Sequence, residues 1–325
     1  MKPLVSINTI TYNHAPYIRQ CIEGVLMQKT TFPFELLIGE DCSTDGTRGI
    51  VLEYAQKYPE IIRMITSEFN VGAAENIKRT NNACRGEFVA FCEGDDCWID
   101  PLKLQKQYEA LNKFQAVMVT HNTIILKIRD AEVLGASLEL HEESSRYLDP
   151  EDIILLKTNI HSSSFFILKD ILLNLPGWYY QAPVFDIPCK MIAVSLGKVY
   201  FLNEVMSIYR RGVSGSWTVR EKNDRARDVS IHRKFVGDYL GMYKNYDNFT
   251  DHRFYSIIRE RIKDFLSNYI FKNGYKYLAD ITEGYEDMIA LIIYLSRPTP
   301  KVLRDKIRLK VASYLAERVF QPSQF

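Results

Sequence analysis

The stretch Phe88-Val-Ala-Phe-Cys-Glu-Gly-Asp-Asp-Cys-Trp98 decides both the fold and the chemistry of this chain. Its first five residues have the apolar pattern of a buried β-strand, and the strand ends abruptly at the carboxylates of Glu93, Asp95 and Asp96. Carboxylates this close repel one another unless a cation or hydrogen-bond donors lie among them, and the hard cations Mg²⁺ and Mn²⁺ prefer oxygen ligands. The stretch therefore predicts a strand that ends at a metal site for a phosphate-bearing ligand.

The same change from apolar strand to polar turn recurs in the N-terminal third of the chain. The pattern predicts strands at 4–10, 34–38, 61–65 and 88–92, and amphipathic helices at 15–28, 47–58 and 73–84. Asp100-Pro101 then opens a further helix, with the acid as its N-cap and the proline at its first position. Repeated strand and helix predict an α/β fold with a mostly parallel, doubly wound sheet, which binds ligands at the carboxyl ends of its strands.

Beyond residue 113 the pattern is less regular. Strands are predicted at 116–126, 162–168, 198–201 and 206–209, and helices at 150–156 and 187–196. The charged segment 127–160 suits an insertion or a region on the acceptor side. After about Arg220 the composition is charged and aromatic with helical periodicity. We therefore expect C-terminal helices that either pack on the main domain or mediate self-association.

Composition excludes several classes of protein. The chain has 325 residues, of which 46% are hydrophobic and 25% charged, as in ordinary globular proteins. Lys plus Arg (41) nearly balances Asp plus Glu (40), so no overall field attracts the chain to nucleic acid. Six cysteines form no Cys-x-x-Cys pair and no zinc spacing, which favours a reduced, cytoplasmic protein. No apolar run is long enough for a secretory signal or a membrane span.

The segment 301–318 has the pattern of a basic amphipathic helix. Its bases Lys301, Arg304, Lys306, Arg308, Lys310 and Arg318 outnumber its acids. Such a helix either lies on an anionic surface, which would make the protein peripheral at the inner face of the cell membrane, or packs with a solvated basic face. The packed helix is favoured.

Four blocks of sequence, taken together, resemble the inverting glycosyltransferases of the GT-A fold, family 2, which move a sugar from a nucleoside diphosphate to an acceptor hydroxyl. The blocks are Val5-Ser-Ile-Asn-Thr-Ile-Thr-Tyr-Asn13, Glu40-Asp-Cys-Ser-Thr-Asp-Gly-Thr47, Asn70-Val-Gly72 with Asn76, and Gly86-Glu-Phe-Val-Ala-Phe-Cys-Glu-Gly-Asp-Asp-Cys-Trp98. The resemblance is strongest over residues 4–113. It implies a Rossmann-like GT-A domain at 1–220, with a nucleotide-sugar half at about 1–113 and an acceptor half at about 114–220, followed by a helical region at 221–325.

The resemblance also implies the ligands. The donor would be a nucleotide sugar, most simply a UDP-sugar, and the acceptor a glycan or lipid-linked glycan in surface polysaccharide biosynthesis. The carboxylate of Asp41 would accept a hydrogen bond from the N–H of the base while Tyr12 packs beside the ring; the alternative for Asp41 is a turn cap. The implied nucleotide-sugar residues are Ile10, Tyr12, Asp41, Asn70, Gly72, Asn76, Glu93, Gly94, Asp95, Arg210 and Arg211.

Glu93-Gly-Asp95 stands where these enzymes carry a DxD-like metal motif, so Asp95 is the expected ligand of Mn²⁺ or Mg²⁺. The first acid of the family motif is Glu93 here, and its longer side chain reaches either a ribose hydroxyl or the metal through water. Asp96 either supports the metal ligand from behind or caps the following turn. We expect Trp98 to form a packed wall of the site.

Asp186 precedes a helix that ends before Gly197-Lys198, as the catalytic base of this family does, and the resemblance implies that it takes the proton of the acceptor hydroxyl. The alternative is a helix N-cap. The chain departs from the family at Phe185, next to the base, and at Gly212, where the family has a histidine.

The segment around Gly212 carries two arginines. Arg210 and Arg211 are expected to supply positive charge to the diphosphate in place of the missing histidine. For Arg211 a solvated place on a surface hairpin is the equal alternative. Histidines 14, 121 and 161 are expected to be scaffold rather than ligands.

Two rival functions are compatible with these departures. One is a non-catalytic nucleotide-sugar or glycan-binding partner in a polysaccharide assembly complex. The other is a sugar-nucleotide nucleotidyltransferase, which needs a glycine- and arginine-rich phosphate loop after the first strand. Tyr12-Asn-His-Ala-Pro16 does not supply such a loop.

Overall fold

The computed structural model describes residues 2–129, 132–139, 144–158, 160–213, 216, 219 and 229–273. The predicted amphipathic helix at 301–318 and the position of Trp217 lie outside these residues. Within the described residues, no helix is both long and apolar enough to cross a membrane.

The first part of the chain alternates strand and helix, as predicted. The elements in order are β1 (Val5–Thr11), α1 (Ile18–Leu26), β2 (Phe34–Glu40), α2 (Thr47–Lys57), β3 (Ile62–Ile65), α3 (Ala73–Ala83), β4 (Phe88–Phe91), β5 (Cys97–Trp98) and α4 (Lys103–Phe114). Helix α4 begins two residues later than Asp100-Pro101 suggests. Asp100 Oδ1 accepts a hydrogen bond from Leu102 N (2.8 Å), so the acid caps the turn before the helix rather than the helix itself.

The second part is richer in strands than predicted. Its elements are β6 (Met118–Arg129), β7 (Glu132–Glu139), β8 (Arg146–Leu148), α5 (Pro150–Ile154), β9 (Phe166–Leu168), α6 (Lys169–Leu173), α7 (Asp186–Leu196), β10 (Val199–Arg211), α8 (Val229–Phe249) and α9 (Tyr255–Asn273). Two 3₁₀ turns, Ser162–Ser164 and Gly177–Gln181, lie between these elements.

The described strands form one mixed sheet with the order β3-β2-β1-β4-β9-β6-β10-β5, to which β7 adds beside β6 and β8 beside β10. Strands β3, β2, β1 and β4 are mutually parallel, and β6 and β10 form another parallel pair. Strands β5, β7, β8 and β9 run antiparallel to their neighbours. The predicted α/β class with a mostly parallel central sheet is confirmed.

The parallel half of the sheet is buried on both faces. Side chains alternate along a strand, so Ile7, Leu36 and Ile38 point into a core shared with α1, α2 and α4. On the other face α3 contacts β1 and β2, and Asn8 Nδ2 donates to Asn81 Oδ1 (2.7 Å). Each fully buried Ile or Leu contributes roughly 1.5–3 kcal/mol to folding. This packing fixes the strand ends at which the polar residues collect.

Three predicted elements differ from the structure. The predicted insertion at 127–160 contains the end of β6 and the strands β7 and β8, because strand pairing with β6 and β10 overrides the weak local pattern, while its predicted helix at 150–156 is confirmed as α5. The two short strands predicted at 198–201 and 206–209 are one strand, β10, with register shifts between Leu202 and Ser207. The predicted strand 162–168 is a 3₁₀ turn followed by the shorter β9.

The chain divides into two compact units. The first contains residues 1–149, 158–180 and 192–223, and the second contains 150–157, 181–191 and 224–325. In the second unit α5 packs against α9, Tyr246 Oη donates to Met191 O (2.8 Å), and Arg261 donates to the hydroxyls of Tyr239 and Tyr243. The predicted domain boundary at residue 220 stays a prediction.

Candidate active site

An open cleft of about 670 Å³, continuous with solvent, lies at the carboxyl ends of β1, β2 and β4 in the first unit. It brings together most of the side chains predicted for nucleotide-sugar binding. The predicted residues that line it are Ile10, Tyr12, Asp41, Asn70, Gly72, Asn76, Glu93, Asp95 and Arg210. The edge of a parallel sheet thus gathers residues up to 200 positions apart in the sequence.

Three predicted site residues do not line this cleft. Gly94 packs against the end of β1, where any larger side chain would overlap Thr11 and His14. Arg211 is exposed on β10. Asp186 is the first residue of α7 and belongs to the second unit. The predicted roles of Arg211 and Asp186 stay predictions.

Asp41 is held by the backbone of the loop that follows β3. Its carboxylate accepts hydrogen bonds from Val71 N (2.8 Å, Oδ1) and Gly72 N (3.0 Å, Oδ2), and the guanidinium of Arg79 lies 3.8 Å away. Asp41 is only 2% exposed, yet it borders the cleft. The chain therefore uses Asp41 to fix Asn70 and Gly72 at the rim, and the same carboxylate forms part of the wall.

Glu40, next to Asp41, is scaffold. It accepts hydrogen bonds from Ser43 N (2.6 Å), Arg48 Nε (2.6 Å) and Thr66 Oγ1 (3.1 Å). Burial alone would raise the pKa of Glu40, but these hydrogen bonds together lower it. The hydrogen-bonded carboxylate of Glu40 therefore holds the loop after β2 in place.

Asn76 links α3 to β2. Its Nδ2 donates to Gly39 O (2.8 Å), and its Oδ1 accepts from Arg79 Nε (2.9 Å). A Cβ at position 39 would overlap the Asn76 side chain, so Gly39 is required for this close approach. Asn76 therefore borders the cleft from a position that is fixed by the scaffold.

Residues 93–98, here called the acidic stretch, carry three carboxylates in three different environments. Glu93 Oε1 accepts a hydrogen bond from Ser162 Oγ (2.8 Å). Asp95, 7% exposed, lies with Oδ2 at 3.8 Å from His14 Nε2. Asp96 is 1% exposed and turns away from the cleft, where its Oδ1 accepts from Arg210 N (3.0 Å). Only Glu93 and Asp95 line the cleft.

Burial raises the pKa of Asp96 well above its ordinary value, and the charges of Asp95 and Glu93 raise it further. Asp96 Oδ2 has no hydrogen-bond partner among the described residues. Asp96 holds β10 against the acidic stretch through the Arg210 amide. The Asp96 carboxylate therefore does not cap the next turn, and its predicted support of the metal ligand stays a prediction.

Arg210 contacts the acidic stretch through its side chain as well as through its backbone amide. Its Nη1 donates to Asp95 O (2.8 Å), its Nη2 donates to Gln20 Oε1, and its guanidinium lies 5.2 Å from the centre of the Tyr17 ring. Arg210 is 6% exposed. Arg210 lines the cleft and so places a positive charge there, while its hydrogen bond to Asp95 O fixes the backbone of Asp95.

Trp98 is buried in the core rather than in the cleft wall, which corrects the prediction. Its Nε1 donates to Ser163 O (3.1 Å), and the ammonium of Lys103 lies 3.9 Å from its ring centre. Lys103 is fully buried and donates to Gln107 Oε1 (2.6 Å). Burial lowers the pKa of Lys103 to about 7.

The sequence reasoning missed several residues that line the cleft. His14 and Tyr209 belong to this set, and the Tyr209 ring stacks on His161 at 4.2 Å. The position of His14 directly after the Thr-Tyr-Asn end of β1 is the signal that would have found it. The signal for Tyr209 is its position directly before Arg210, at the start of the segment that resembles the YRxH-type motif of the family, and the pairing of β10 with β6 and β5 places it at the cleft.

The donor set suits a divalent ion that arrives with a phosphate ligand. Among the described residues, no group of three His, Cys, Asp or Glu side chains is placed to hold a metal ion unaided. Mg²⁺ and similar ions are usually held by one or two carboxylates together with substrate phosphates and water. Asp95 and Glu93 supply that number of carboxylates at the cleft. The residues present therefore fit an ion shared with a diphosphate.

This fold, with a polar cleft at the end of its parallel strands and two carboxylates on one wall, defines a GT-A type glycosyltransferase. The family model described as glycosyl transferase family 2 matches residues 6–170, about half of the chain. The chain belongs to glycosyl transferase family 2. This membership excludes the nucleotidyltransferase alternative.

Two curated relatives illustrate the range of similarity. The uncharacterized protein Rv1520 of Mycobacterium tuberculosis is 33% identical over 223 residues, which cover 66% of this chain and 60% of the relative. The putative teichuronic acid biosynthesis glycosyltransferase TuaG of Bacillus subtilis is 42% identical over 108 residues, 33% of this chain and 42% of the relative. The match thus spans about 60% of the length of the longer relative.

Two solved structures share the fold. S. aureus TarS in complex with UDP-GlcNAc superposes with a TM-score of 0.55 at 15% identity, over 100% of this chain and 94% of that one. The mannosyltransferase PcManGT of Pyrobaculum calidifontis, in complex with GDP-Man and Mn²⁺, gives a TM-score of 0.53 at 13% identity, over 98% and 87%. The predicted GT-A fold is confirmed.

Proposed function

We propose that this chain transfers a sugar from a UDP-sugar to a hydroxyl of a glycan or lipid-linked glycan, with inversion at the anomeric carbon and with Mn²⁺ or Mg²⁺ as cofactor. The observation that carries the proposal is the arrangement of the cleft. Asp41 and Tyr12 border the same space as the carboxylates of Glu93 and Asp95. One end suits a nucleobase and the other suits a diphosphate with a cation.

The donor would lie along the ends of β1, β2 and β4. Asp41 Oδ1 accepts hydrogen bonds from Val71 N and from Ser67 Oγ (3.4 Å), whereas Oδ2 accepts one from Gly72 N and has a second lone pair for the N–H of a pyrimidine ring. Asn70 and Gly72 form the rim beside it. The preference for uracil stays part of the proposal, since the two fold neighbours carry a uridine and a guanosine nucleotide.

Asp95, with Glu93 nearby, would hold the metal ion on the diphosphate. Such an ion, when bound, offsets the negative charge that grows on the leaving diphosphate. Arg210 adds a fixed positive charge at this end without leaving its bond to Asp95 O. His14 Nε2 lies 3.8 Å from Asp95 Oδ2, so the imidazole ring limits the positions open to that carboxylate.

In the proposed reaction Asp186 acts as the base. Its carboxylate takes the proton of the acceptor hydroxyl, the acceptor oxygen forms a bond to the anomeric carbon, and the bond from that carbon to the phosphate oxygen breaks with its electron pair on the diphosphate. A single displacement inverts the anomeric centre. The position of Asp186 at the first residue of α7 supports this role, because a helix start holds a carboxylate at a defined point.

The proposed organisation follows the sequence. Residues 1–220 form the proposed glycosyltransferase domain. For the region 221–325, membrane contact and self-association are the alternatives to the favoured packed helices. The similarity to TuaG, named for teichuronic acid biosynthesis, supports a role in surface polysaccharide synthesis.

A panel of nucleotide sugars tests the donor. The full chain is heated with Mn²⁺ and each of several UDP-, GDP- and dTDP-sugars, and the unfolding temperature is recorded. A ligand at 100 times its dissociation constant stabilises the folded state by about 2.7 kcal/mol. We expect stabilisation by UDP and by at least one UDP-sugar, dependent on Mn²⁺. Stabilisation by GDP- or dTDP-sugars alone would contradict the uridine assignment.

A further inference from the structure

The acidic stretch is tied at both ends to the 3₁₀ turn Ser162–Ser164, here called the serine turn. At one end Glu93 Oε1 accepts a hydrogen bond from Ser162 Oγ (2.8 Å). At the other end Trp98 Nε1 donates to Ser163 O (3.1 Å). The two contacts span 69 and 65 positions of sequence. The serine turn is therefore a separate element that supports the acidic stretch at two points.

The serine turn is itself rigidly held. Gln107 Nε2 donates to Ser164 O (2.7 Å), and Thr120 Oγ1 shares a hydrogen bond with Ser164 Oγ (2.6 Å). Ser163 and Ser164 are both 0% exposed. Buried hydrogen-bond networks of this kind make the backbone of the turn rigid. The Ser162 hydroxyl is therefore held on a backbone with few alternative conformations.

Ser162 differs from its two neighbours in what it contacts. The hydroxyls of Ser163 and Ser164 bond to Ser207 and to Thr120 and His161, all within the scaffold. Ser162 Oγ instead bonds the one carboxylate of the cleft that departs from the family motif. An aspartate at position 93 would be one methylene shorter and would fall short of Ser162. The longer acid and the serine thus form a matched pair.

We propose that Ser162 is a positioning residue that holds Glu93 toward the donor nucleotide, so that the serine turn is a part of the donor site. This inference rests on the proposed function, because it needs a donor in the cleft. With Oε1 fixed by Ser162, Oε2 accepts a hydrogen bond from a ribose hydroxyl or from water on the metal ion. Without the serine hydroxyl the Glu93 side chain would populate more rotamers, and ordering it when the donor binds would cost binding free energy.

Isothermal titration of UDP with Mn²⁺ into the full chain tests the role. Ser162→Ala is expected to weaken UDP binding by about fivefold, as for loss of one hydrogen bond to a charged group. Ser162→Thr, which keeps the hydroxyl, is expected to retain the affinity of the parent. Ser144→Ala removes an exposed hydroxyl of the same unit that does not line the cleft, and is the control with affinity within about twofold of the parent.

Coupling between the two residues is the decisive readout. In a Glu93→Asp background, Ser162→Ala is expected to cause no further loss, because the shorter acid no longer reaches the serine. A purely structural role of Ser162 would instead give additive losses, and these would overturn the proposal. So would equal UDP affinity of Ser162→Ala and the parent.

Two controls separate this inference from the proposed function. Thermal unfolding without ligand checks that each variant is folded, and Ser162→Cys, which replaces the hydroxyl by a weak donor of similar size, carries the test with the same expected loss of affinity if Ser162→Ala is not folded. If the parent binds none of UDP, GDP and dTDP with Mn²⁺, the donor assignment fails and the positioning role fails with it. If the parent binds UDP and the coupling is absent, only the positioning role is overturned.

Discussion

Arg210 donates a hydrogen bond from its guanidinium to the backbone carbonyl of Asp95 (2.8 Å), across 115 positions of sequence. The contact joins β10 to the acidic stretch. The amide of the same residue donates to Asp96 Oδ1, so one arginine position secures two consecutive acids. Arg210 therefore organises the proposed metal-binding wall of the cleft before any ligand is bound.

Arg210→Ala is expected to destabilise the protein by about 3 kcal/mol, because it removes a buried guanidinium and leaves its acceptors without donors. Arg211→Ala, at the exposed neighbour, is expected to change stability by no more than about 0.5 kcal/mol. Urea denaturation of both variants measures the difference. Equal stability of the two variants would show that the Arg210 contacts carry little energy.

Asp186→Asn is expected to reduce turnover by a factor of about one hundred or more while UDP affinity changes little, because the amide cannot accept the acceptor proton. Turnover is measured as UDP released from the best donor of the panel. Asp238→Asn, which removes a partly exposed acid of the same unit that pairs with Lys234, is the control. Unchanged turnover in Asp186→Asn would remove this residue from the reaction.

Gly39→Ala is expected to cost about 2 kcal/mol, since the new methyl group overlaps Asn76 and Thr80 and must push α3 away from β2. Gly49→Ala is the matched control. Gly49 lies on the exposed side of α2 with no atom within 4 Å of a Cβ, so alanine there is expected to stabilise by about 0.5–1 kcal/mol. Thermal unfolding of both variants tests the prediction, and a Gly39→Ala variant as stable as the parent would contradict it.

Lys103 predicts a pH dependence of stability. Its pKa is about 7 in the folded protein because of burial, against an ordinary value of 10.5. Between these pH values the unfolded chain binds the proton and the folded chain does not, so stability rises with pH, by up to about 1.4 kcal/mol per pH unit. Below pH 7 both states are protonated and the full penalty of burying the charge is present.

Lys103→Met isolates this effect. We expect the parent to gain stability relative to Lys103→Met as the pH rises from 7 toward 10, measured by urea denaturation at each pH. A difference between parent and variant that stays constant over this range would show that Lys103 keeps its ordinary pKa.

The sequence was sufficient for the parallel half of the sheet and for the acidic stretch. In that half each strand and helix is encoded by a local period. The cleft-lining residues Tyr12 and Asp41 directly follow β1 and β2, and Asp95 lies four residues after the end of β4. Parallel strands bring such positions to one edge whatever the detailed packing. The prediction therefore needed no long-range contact.

Other missed features depend on contacts between residues that are distant in sequence. Ser162 meets Glu93, and Arg210 meets Asp95, only after β9 and β10 have joined the sheet. The two adjacent arginines predict positive charge for a diphosphate. They do not predict that Arg210 also donates a hydrogen bond to the backbone of Asp95. Trp98 is predicted in the cleft wall, but the antiparallel pairing of β5 with β10 places it in the core.

The central claim is that the protein cleaves the bond between sugar and diphosphate in a nucleotide sugar bound in the cleft, with a metal ion held at Asp95. The most direct test incubates the full chain with Mn²⁺ and each UDP-sugar, without acceptor, and measures released UDP by chromatography. We predict slow release from at least one donor, which EDTA and Asp95→Asn abolish and the exposed control Asp170→Asn leaves unchanged. Release by Asp95→Asn at the rate of the parent, or no release from any donor, would contradict this account.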